Sequence, residues 1–511
     1  MTRCFIGRVD QLFLPESFPQ FGVFSLFRAG RFGDHVCPCM QEDFLATSIQ
    51  VAKGATAPDP EPTERVLRVR AGGPLRGTVT ISGAKNAALP ALAATLLTAD
   101  ECVLSNVPDL ADIGTMLALL RSLGAETEHD RERKRVRIRA AKVTSTEAPS
   151  ELVAAMRASF LVAGPLLARC GDMSASAPGG CQLGARPVDV DVRGFRQMGA
   201  IIDFDDGGQH IIGRASGLRG ASIYMDYPSH TGTENLLMAA TLASGRTTIV
   251  NAACEPEIVF LGNMLNRMGA SISGLGSPTI IVEGVDRLHG VSERVLPDRL
   301  EAGTFAIGAA ITGGEVTLND VREPDMLPLS AKLREAGADI WIDHDRMLVR
   351  PSAGLRAVEI QTLPFPGFPT DLQAAFAVLM TQAQGRSRIY ERVFDDRLRY
   401  TDQLRAMGAN IRIERLMPID DAGNPSSGTI RYGTRAEIFG PTSLTGRPVR
   451  CLDIRAGAGV VLAGLLASGE TVISALHHLD RGYEGFVDKL KSLGADVGVS
   501  AVAAAETVAT V

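Results

Sequence analysis

The sequence predicts an α/β protein built from six copies of one repeated unit, and three observations support that prediction. A phrase with a central glycine, such as LRSLGAE at 120–126, ends a helix-like segment and recurs six times. An alternating, strand-like segment follows the phrase, and a second recurrent phrase precedes the helix. The copies are spaced roughly every 70 residues, which is typical of a repeat architecture. Their glycines are Gly124, Gly199, Gly269, Gly337, Gly408 and Gly494.

The first copy shows why each unit is expected to contain a helix followed by a strand. Residues 112–123 place apolar side chains at helical spacing and lead into Gly124, which can adopt the left-handed conformation that ends helices. Residues 135–139, Arg-Val-Arg-Ile-Arg, alternate as a strand with one covered face does. The preceding phrase, LSNVPDLADI at 104–113, contains a strand, a turn asparagine and a helix start.

Helices rich in small residues precede these phrases, as in 231–245 and 303–314. Because one unit cannot bury both of its faces alone, we expect six units to pack as two lobes of three, with helices inside and sheets outside. A closed six-unit ring like a DNA clamp is the competing arrangement. The net charge of −6 and the lack of Lys/Arg-rich helices argue against it.

Composition narrows the class of protein. A chain of 511 residues suggests two or three domains, and 45 % hydrophobic with 22 % charged residues is typical of a soluble globular protein. Its acidic balance predicts neither nucleic acid nor an anionic membrane as a partner, and no apolar run approaches the ~20 residues of a membrane span. Eight scattered cysteines indicate reduced thiols and a cytoplasmic location. No obligate protein partner is evident.

The first 63 residues differ from the rest of the chain. They lack a sustained period, and residues 54–63, GATAPDPEPT, are typical of a flexible linker, so we expect a disordered N-terminal extension. Acidic residues within the extension argue against a transit peptide. His35, Cys37 and Cys39 lack the usual zinc spacing, and we therefore predict no metal site.

Two segments suggest contacts with an anion. Lys85 and Asn86 stand at the start of an Ala-rich helix, and a helix N-terminus with an ammonium and an amide suits an anion. A capping asparagine beside a solvated lysine is the alternative. Arg455 and Arg481 also stand close to helix starts and suggest the same kind of contact.

One cysteine and one aspartate are candidates for chemistry. Cys181 lies in the Gly- and Pro-rich loop 178–189, with Arg186 five residues on, and an exposed thiol there suggests a nucleophile or proton donor. Asp371 lies near a helix start, where helping the helix electrostatically is the alternative role. Core packing is the expected role of the remaining cysteines after the extension, Cys102, Cys170, Cys254 and Cys451.

Together these segments resemble the enolpyruvyl transferase family, specifically its members that act on UDP-N-acetylglucosamine, over about residues 65–500. The resemblance implies two inside-out α/β barrel lobes with the substrates between them. Residues 85–297, with the Cys181 loop, would form the first lobe, and residues 64–84 with 298–511 the second. The motifs are ISGAKNAALP, MRASFLVAGPLLAR, PGGCQLGARPVD, EPEIV, VLPDRLEAGTF, FPTDLQA, DDRL, DIRAGAGVVLAG and HLDRGYE.

The resemblance also implies a reaction. The enolpyruvyl group of phosphoenolpyruvate would pass to the 3′-hydroxyl of UDP-N-acetylglucosamine with release of phosphate and without a cofactor, as the first committed step of peptidoglycan synthesis. A synthase-like transferase acting on shikimate phosphate is the nearest alternative, and the cysteine loop argues against it. A non-catalytic paralogue that binds nucleotide sugar is the third reading.

The family's residue roles carry over to matching positions of this chain. Lys85, Arg186 and Arg481 would hold the phosphate and carboxylate of phosphoenolpyruvate, with Asn86 and Arg455 beside them. Cys181 would protonate the methylene carbon of the enolpyruvate or form a covalent adduct with the enolpyruvate, and Asp371 would be the base near the sugar hydroxyl. The implied nucleotide-sugar contacts are Arg157, Arg186, Pro187, Val188, Asp189, Val190, Ser229, Val393 and Arg397.

Two segments depart from the family wording. Residues 226–233 replace the commoner Ser-Val-Gly-Ala-Thr pattern, so the resemblance assigns no contact to His230 or Thr231. Residues 415–435 are expected to be a surface insertion.

A thiol at position 181 predicts inactivation by the epoxide fosfomycin, because a thiolate opens the ring and forms a thioether that retains the whole inhibitor. Mass spectrometry should find the adduct on the Cys181 peptide, and Cys181→Ser should lose activity. Full activity of that variant, or no adduct on the peptide, would contradict the assignment.

Overall fold

The computed structural model describes residues 63–176, 188–205, 207, 210–394, 396–415 and 434–503, all within one compact unit, residues 60–511. Several positions considered above fall outside the described residues. They are Cys181, Arg186, Pro187, residues 1–62 of the predicted extension and residues 416–433 of the predicted insertion.

The described chain contains both helices and strands in regular alternation. The helices are α1 (Lys85–Ala94), α2 (Ala111–Ser122), α3 (Ser150–Ala155), α4 (Ala163–Cys170), α5 (Asp189–Gln197), α6 (His230–Ala240), α7 (Pro256–Arg267), α8 (Arg299–Thr312), α9 (Glu323–Glu335), α10 (Gln373–Gln382), α11 (Tyr400–Ala406), α12 (Ile454–Gly464), α13 (His477–Asp480) and α14 (Phe486–Ser492). The strands are β1 (Thr63–Arg70), β2 (Arg76–Thr80), β3 (Glu101–Ser105), β4 (Glu126–Asp130), β5 (Arg135–Arg139), β6 (Glu147–Ala148), β7 (Asp172–Ser176), β8 (Ile201–Phe204), β9 (His210–Arg214), β10 (Ser222–Tyr224), β11 (Arg246–Val250), β12 (Ser271–Ser273), β13 (Thr279–Glu283), β14 (Ser292–Arg294), β15 (Glu315–Asn319), β16 (Asp339–Asp343), β17 (Arg346–Arg350), β18 (Glu359–Gln361), β19 (Gly385–Glu391), β20 (Asn410–Arg415), β21 (Thr434–Gly440), β22 (Pro448–Arg450), β23 (Glu470–Ser474) and β24 (Asp496–Ala503).

The strands form six four-stranded sheets with one common plan. In each sheet the first two strands are parallel and the other neighbours are antiparallel. Three sheets use consecutive strands, and three borrow one strand from a distant part of the chain. The first group has the orders β6-β7-β9-β8, β10-β11-β13-β12 and β18-β19-β21-β20, and the second has β14-β3-β5-β4, β2-β15-β17-β16 and β22-β23-β1-β24.

Two separate hydrophobic cores lie inside these sheets, and three sheets cover each. The first core draws its residues from Ala84–Leu296, and the second from Leu67–Ile81 together with Leu300–Val497. Helix α8 is rich in Ala and Gly because it lies inside the second core, where every residue from Leu300 to Ile311 is buried. The predicted plan of six α/β units with helices inside is therefore confirmed. The described sheets are open, so neither core is enclosed by a closed barrel.

The repeated glycines end their helices as predicted. All six have a positive φ, between 89° and 104°, where a side chain would strain the backbone.

The prediction that the four cysteines pack in the core is partly wrong. Cys102 and Cys451 are buried, but Cys170 is exposed and Cys254 is half-buried. Cys170 is exposed because it is the last residue of α4, where the chain turns away from the core through left-handed Gly171.

The chain passes between the two cores through two neighbouring segments. Gly83 pairs with Pro297 in an isolated antiparallel bridge, and the Ala84 N–H donates to the Leu296 carbonyl at 2.8 Å. A Cβ atom at Gly83 would lie 1.8 Å from the carbonyl oxygen of Asn106, so only glycine fits this approach. No helix in the described part of the chain is long and apolar enough to cross a membrane.

Replacing Gly83 with alanine should lower the free energy of unfolding by about 1–3 kcal/mol, the usual cost of overpacking. Denaturant unfolding measures the change, with Gly114→Ala as the control. Gly114 lies in helix α2, where an added Cβ atom would have no neighbour within 4 Å, so that change should stabilise the helix by about 0.5–1 kcal/mol. Equal stability of the two variants would contradict the close approach at Gly83.

Candidate functional site

A buried carboxylate joins cations from the two sides of the molecule. Lys85 is the first residue of α1, and its Nζ donates to Asp112 Oδ2 at 2.9 Å. The Nε of Arg481 donates to the other oxygen, Oδ1, at 2.8 Å. Asp112 lies in the first turn of α2, beside the first core, whereas Arg481 follows α13 beside the second. Asp112 therefore links the two halves directly.

The charge around Lys85 is predominantly positive. Burial lowers the pKa of Lys85, Asp112 partly offsets this, and the charges of Arg455 and Arg481 lower it further. Lys85 therefore lies near Asp112 and near the cations Arg455 and Arg481, in a site that excludes much of the solvent. Such fixed positive charges suit a small substrate with more than one negative charge.

Asp371 is held by two arginines on the second-core side. It lies in the 3-10 turn Thr370–Leu372 before α10, where it accepts from Arg397 Nη2 at 2.8 Å and from Arg455 Nε at 3.3 Å. Both arginine side chains are 5 % exposed. The guanidinium of Arg455 also stacks on the ring of Tyr483 at 5.0 Å. Because Arg455 acts on both Asp371 and Lys85, the two charged clusters are neighbours.

A buried glutamate fixes the turn that carries Asp371. Glu391 Oε2 accepts from the Thr370 hydroxyl at 2.8 Å, and Oε1 accepts from the Val393 N–H at 2.6 Å. The backbone at Val393 is therefore tied to the turn at Asp371.

Residues predicted to contact a nucleotide sugar gather at the start of α6. Arg157 and Val188 line a small cavity with Thr231, Asp191 and Asn235. Burial raises the pKa of Asp191 to about 6, although the 2.9 Å hydrogen bond from Asn235 Nδ2 opposes the shift. The cavity wall can therefore change its charge near neutral pH.

The remaining predicted residues are placed as follows. The Ser229 hydroxyl caps α6 by accepting from the Gly232 N–H at 3.1 Å, and Val190 packs close to Gly232. Asn86 is half-buried at the second residue of α1, and Asp189 is exposed at the first residue of α5.

Asp112, which joins the predicted anion-binding residues Lys85 and Arg481, was not predicted from the sequence. Its position recurs in the phrases that precede α2, α7 and α9, each of which places a buried acid in the first helical turn. Those acids are Asp112, Glu257 and Asp325. The recurrence was visible in the sequence, but acids are ordinary in the first turn of a helix. Among the described residues, no three His, Cys, Asp or Glu side chains could hold a metal ion.

Asp112→Asn should destabilise the protein by about 3–5 kcal/mol, because it leaves a buried ammonium without its counter-charge. Inorganic phosphate should then raise the Tm of the variant more than that of the unchanged protein, since the anion can occupy the vacated positive site. Asp130→Asn is the matched control, because Asp130 pairs only with the exposed Arg133 and should change the Tm little. An equal phosphate response in both variants would contradict this account of the cluster.

Comparisons with known proteins agree with this arrangement. The family model described as EPSP synthase (3-phosphoshikimate 1-carboxyvinyltransferase) matches residues 69–490. The chain is 49 % identical over 432 residues to the UDP-N-acetylglucosamine 1-carboxyvinyltransferase of Magnetococcus marinus, covering 84 % of this chain and 98 % of that one. It is 46 % identical to the protein of the same name from Granulibacter bethesdensis, again covering 84 % of this chain and 98 % of that one.

Solved structures show the same fold at lower identity. The enolpyruvyl transferase NikO from Streptomyces tendae superposes with a TM-score of 0.75 at 22 % identity, over 86 % of this chain and all of that one. EPSP synthase from Acinetobacter baumannii gives 0.66 at 19 % identity with the same coverage. With its family match across most of its length and its relatives at 46–49 % identity, this chain belongs to the enolpyruvyl transferases, in the group of the UDP-N-acetylglucosamine 1-carboxyvinyltransferases.

Proposed function

We propose that this protein transfers the enolpyruvyl group of phosphoenolpyruvate to the 3′-hydroxyl of UDP-N-acetylglucosamine and releases phosphate, the first committed step of peptidoglycan synthesis. The observation that carries the proposal is 49 % identity over 98 % of a relative with that name. The scattered cysteines favour a cytoplasmic setting for this reaction.

The cluster around Asp112 supports a binding site for phosphoenolpyruvate. Lys85 and Arg481, with Arg455 close by, supply the charges that a phosphate and a carboxylate need. In the free protein Asp112 neutralises two of these cations. The substrate's anionic groups would compete with Asp112 for them, and Asn86 and Arg186 would complete the binding set.

The proposed chemistry is addition followed by elimination. A proton from the Cys181 thiol would join the methylene carbon, C3, while the sugar oxygen attacks C2 and its proton passes to Asp371. Elimination would then remove a proton from C3 and break the bond from C2 to the phosphate oxygen, which leaves an enol ether and inorganic phosphate. A covalent adduct between Cys181 and C2 is the alternative use of the thiol.

The arginines beside Asp371 bear on its proposed role as the base. Arg397 and Arg455 both pair with its carboxylate and stabilise the ionised form that can accept a proton. Phosphoenolpyruvate would compete with Asp371 for Arg455, so arrival of the substrate would change the contacts of the proposed base.

The acceptor would lie along the start of α6 and the neighbouring elements. The cavity lined by Arg157 and Val188, the capping Ser229 and the tied backbone at Val393 support this placement. Arg186, Pro187, Asp189, Val190 and Arg397 are the other proposed contacts. We further propose that the lobes, residues 85–297 and residues 64–84 with 298–511, close over both substrates and exclude water.

The proposal predicts phosphate release from phosphoenolpyruvate that depends on UDP-N-acetylglucosamine, measured in a coupled assay. Asp371→Asn should lower kcat by about 10²–10⁴-fold, the usual contribution of a positioned base. Asp402→Asn, at an exposed helix position, is the control and should keep full activity. Release that depends on shikimate 3-phosphate instead would favour the synthase-like alternative. If no phosphate is released with either acceptor, the protein would be a non-catalytic paralogue.

A further inference from the structure

His230 occupies a position to which no role has been assigned. It is the first residue of α6, next to the capping Ser229. Its ring lies between two buried carboxylates, with Nδ1 3.5 Å from Glu234 Oε1 and Nε2 4.0 Å from Glu257 Oε2. Both glutamate side chains are only 1 % exposed.

A charged imidazolium suits this position, because a carboxylate lies within ion-pair distance of each ring nitrogen. A neutral imidazole has one N–H, so one of its nitrogens would direct a lone pair at a carboxylate. Three glutamates face the ring, Glu234 from its own helix and Glu255 and Glu257 from the start of α7, and Arg299 at the start of α8 is their other nearby cation. Asp191 of the neighbouring α5 is instead bound by Asn235. Despite the opposing effect of burial, these carboxylates raise the pKa of His230 well above its ordinary value.

Glu257 passes this contact on to the second-core side. Arg299 donates to it twice, from Nε to Oε1 at 3.0 Å and from Nη2 to Oε2 at 3.3 Å. The Arg299 side chain is 10 % exposed. One buried carboxylate is therefore shared between His230, at the start of the nucleotide-sugar region, and Arg299, just after the chain crosses between the cores.

From Arg299 the contacts reach the segment that leads to Asp371. The Arg299 guanidinium stacks on Phe365 at 5.6 Å, and the Phe365 N–H donates to Glu255 Oε1 at 3.4 Å. Phe365 lies six residues before Asp371, within the segment 362–372 that ends in the turn fixed by Glu391. Charged and ring contacts thus run from α6 to Phe365, in the segment that leads to the proposed base.

We propose that His230 is a positioning residue, whose imidazolium, ion-paired with Glu234 and Glu257, sets Glu257 and Arg299 and through them the segment 362–372 that carries Asp371. It acts without touching the reacting atoms. The inference rests on the proposed function for its effect on turnover, but the mechanical coupling can be measured without any activity.

The first test is hydrogen exchange measured by mass spectrometry on the free protein. His230→Asn removes the positive charge and one of the two donor nitrogens, so peptides covering 362–372 should exchange at least about threefold faster. His344→Asn is the matched control, because His344 is 93 % exposed and should leave these peptides unchanged. Unaltered exchange in His230→Asn would overturn the proposal. Faster exchange in a protein that releases no phosphate would sink the proposed function and leave the coupling intact.

The second test separates positioning from binding. In His230→Asn, kcat should fall about tenfold, while the Kd for UDP-N-acetylglucosamine from titration calorimetry stays within about threefold. A weakened Kd with unchanged kcat would make His230 a simple binding contact and would overturn the proposal.

His230→Lys retains a cation and should keep kcat within about threefold of the unchanged enzyme at pH 6–7. If His230→Asn does not fold, the kcat of His230→Lys still tests the proposal. A group whose pKa is raised on folding keeps its stabilising charge at low pH and loses it as the pH rises through the raised value. The ratio of kcat between the unchanged enzyme and His230→Lys should therefore fall from pH 7 towards pH 10, because lysine retains its proton longer. Taking this ratio removes the pH effect of titrating groups that both proteins share. A ratio that stays constant between pH 7 and pH 10 would overturn the proposal.

Discussion

Carboxylates shared between cations across the two cores are the interaction on which the site depends. Asp112 pairs with Lys85 and Arg481, and Glu257 pairs with Arg299, always at short distance and away from bulk water. A buried charge that loses its partner is costly. If the two halves moved apart, other groups would therefore have to supply the opposite charges. In this structure the protein's own side chains supply the opposite charges.

The repeated fold explains why so many cations gather there. Lys85, His230 and Arg299 are each the first residue of an inner helix, and Arg455 is the second residue of another. A positive charge at a helix N-terminus opposes the helix dipole, so local stability does not explain this placement. Several units place a cation where it opposes the helix dipole, and a departure from local preference of this kind is typical of a functional site. Four of the six units contribute one such helix start each.

Local sequence patterns predicted the helices and strands of each unit better than they predicted which strands pair with one another. The positive-φ glycines and the alternation of strands such as β5 follow from short-range sterics and burial, so they were readable in the sequence. The borrowed strands could not be read from periodicity, which carries no record of which distant strand lies beside β2 or β14, and only the resemblance grouped residues 64–84 with 298–511. In the site, Lys85 and Arg481 were predicted as anion ligands, but their shared partner Asp112 was missed because a first-turn acid has an ordinary explanation. The exposure of Cys170 was mispredicted because an apolar helix pattern does not show where the helix leaves the core.

The sheet β22-β23-β1-β24 has a consequence for biosynthesis. Strand β1 lies between β23 and β24, with Leu67 opposite Ile473 and also opposite Val499. A ribosome makes residues 63–70 long before either neighbour exists, so this inner strand must wait, unpaired, for nearly the whole chain to emerge. The first core, from Ala84 to Leu296, can form in the meantime. Nascent chains of this protein therefore carry this strand, with Val66, Leu67 and Val69 uncovered, throughout most of translation, and a holding chaperone could bind it there.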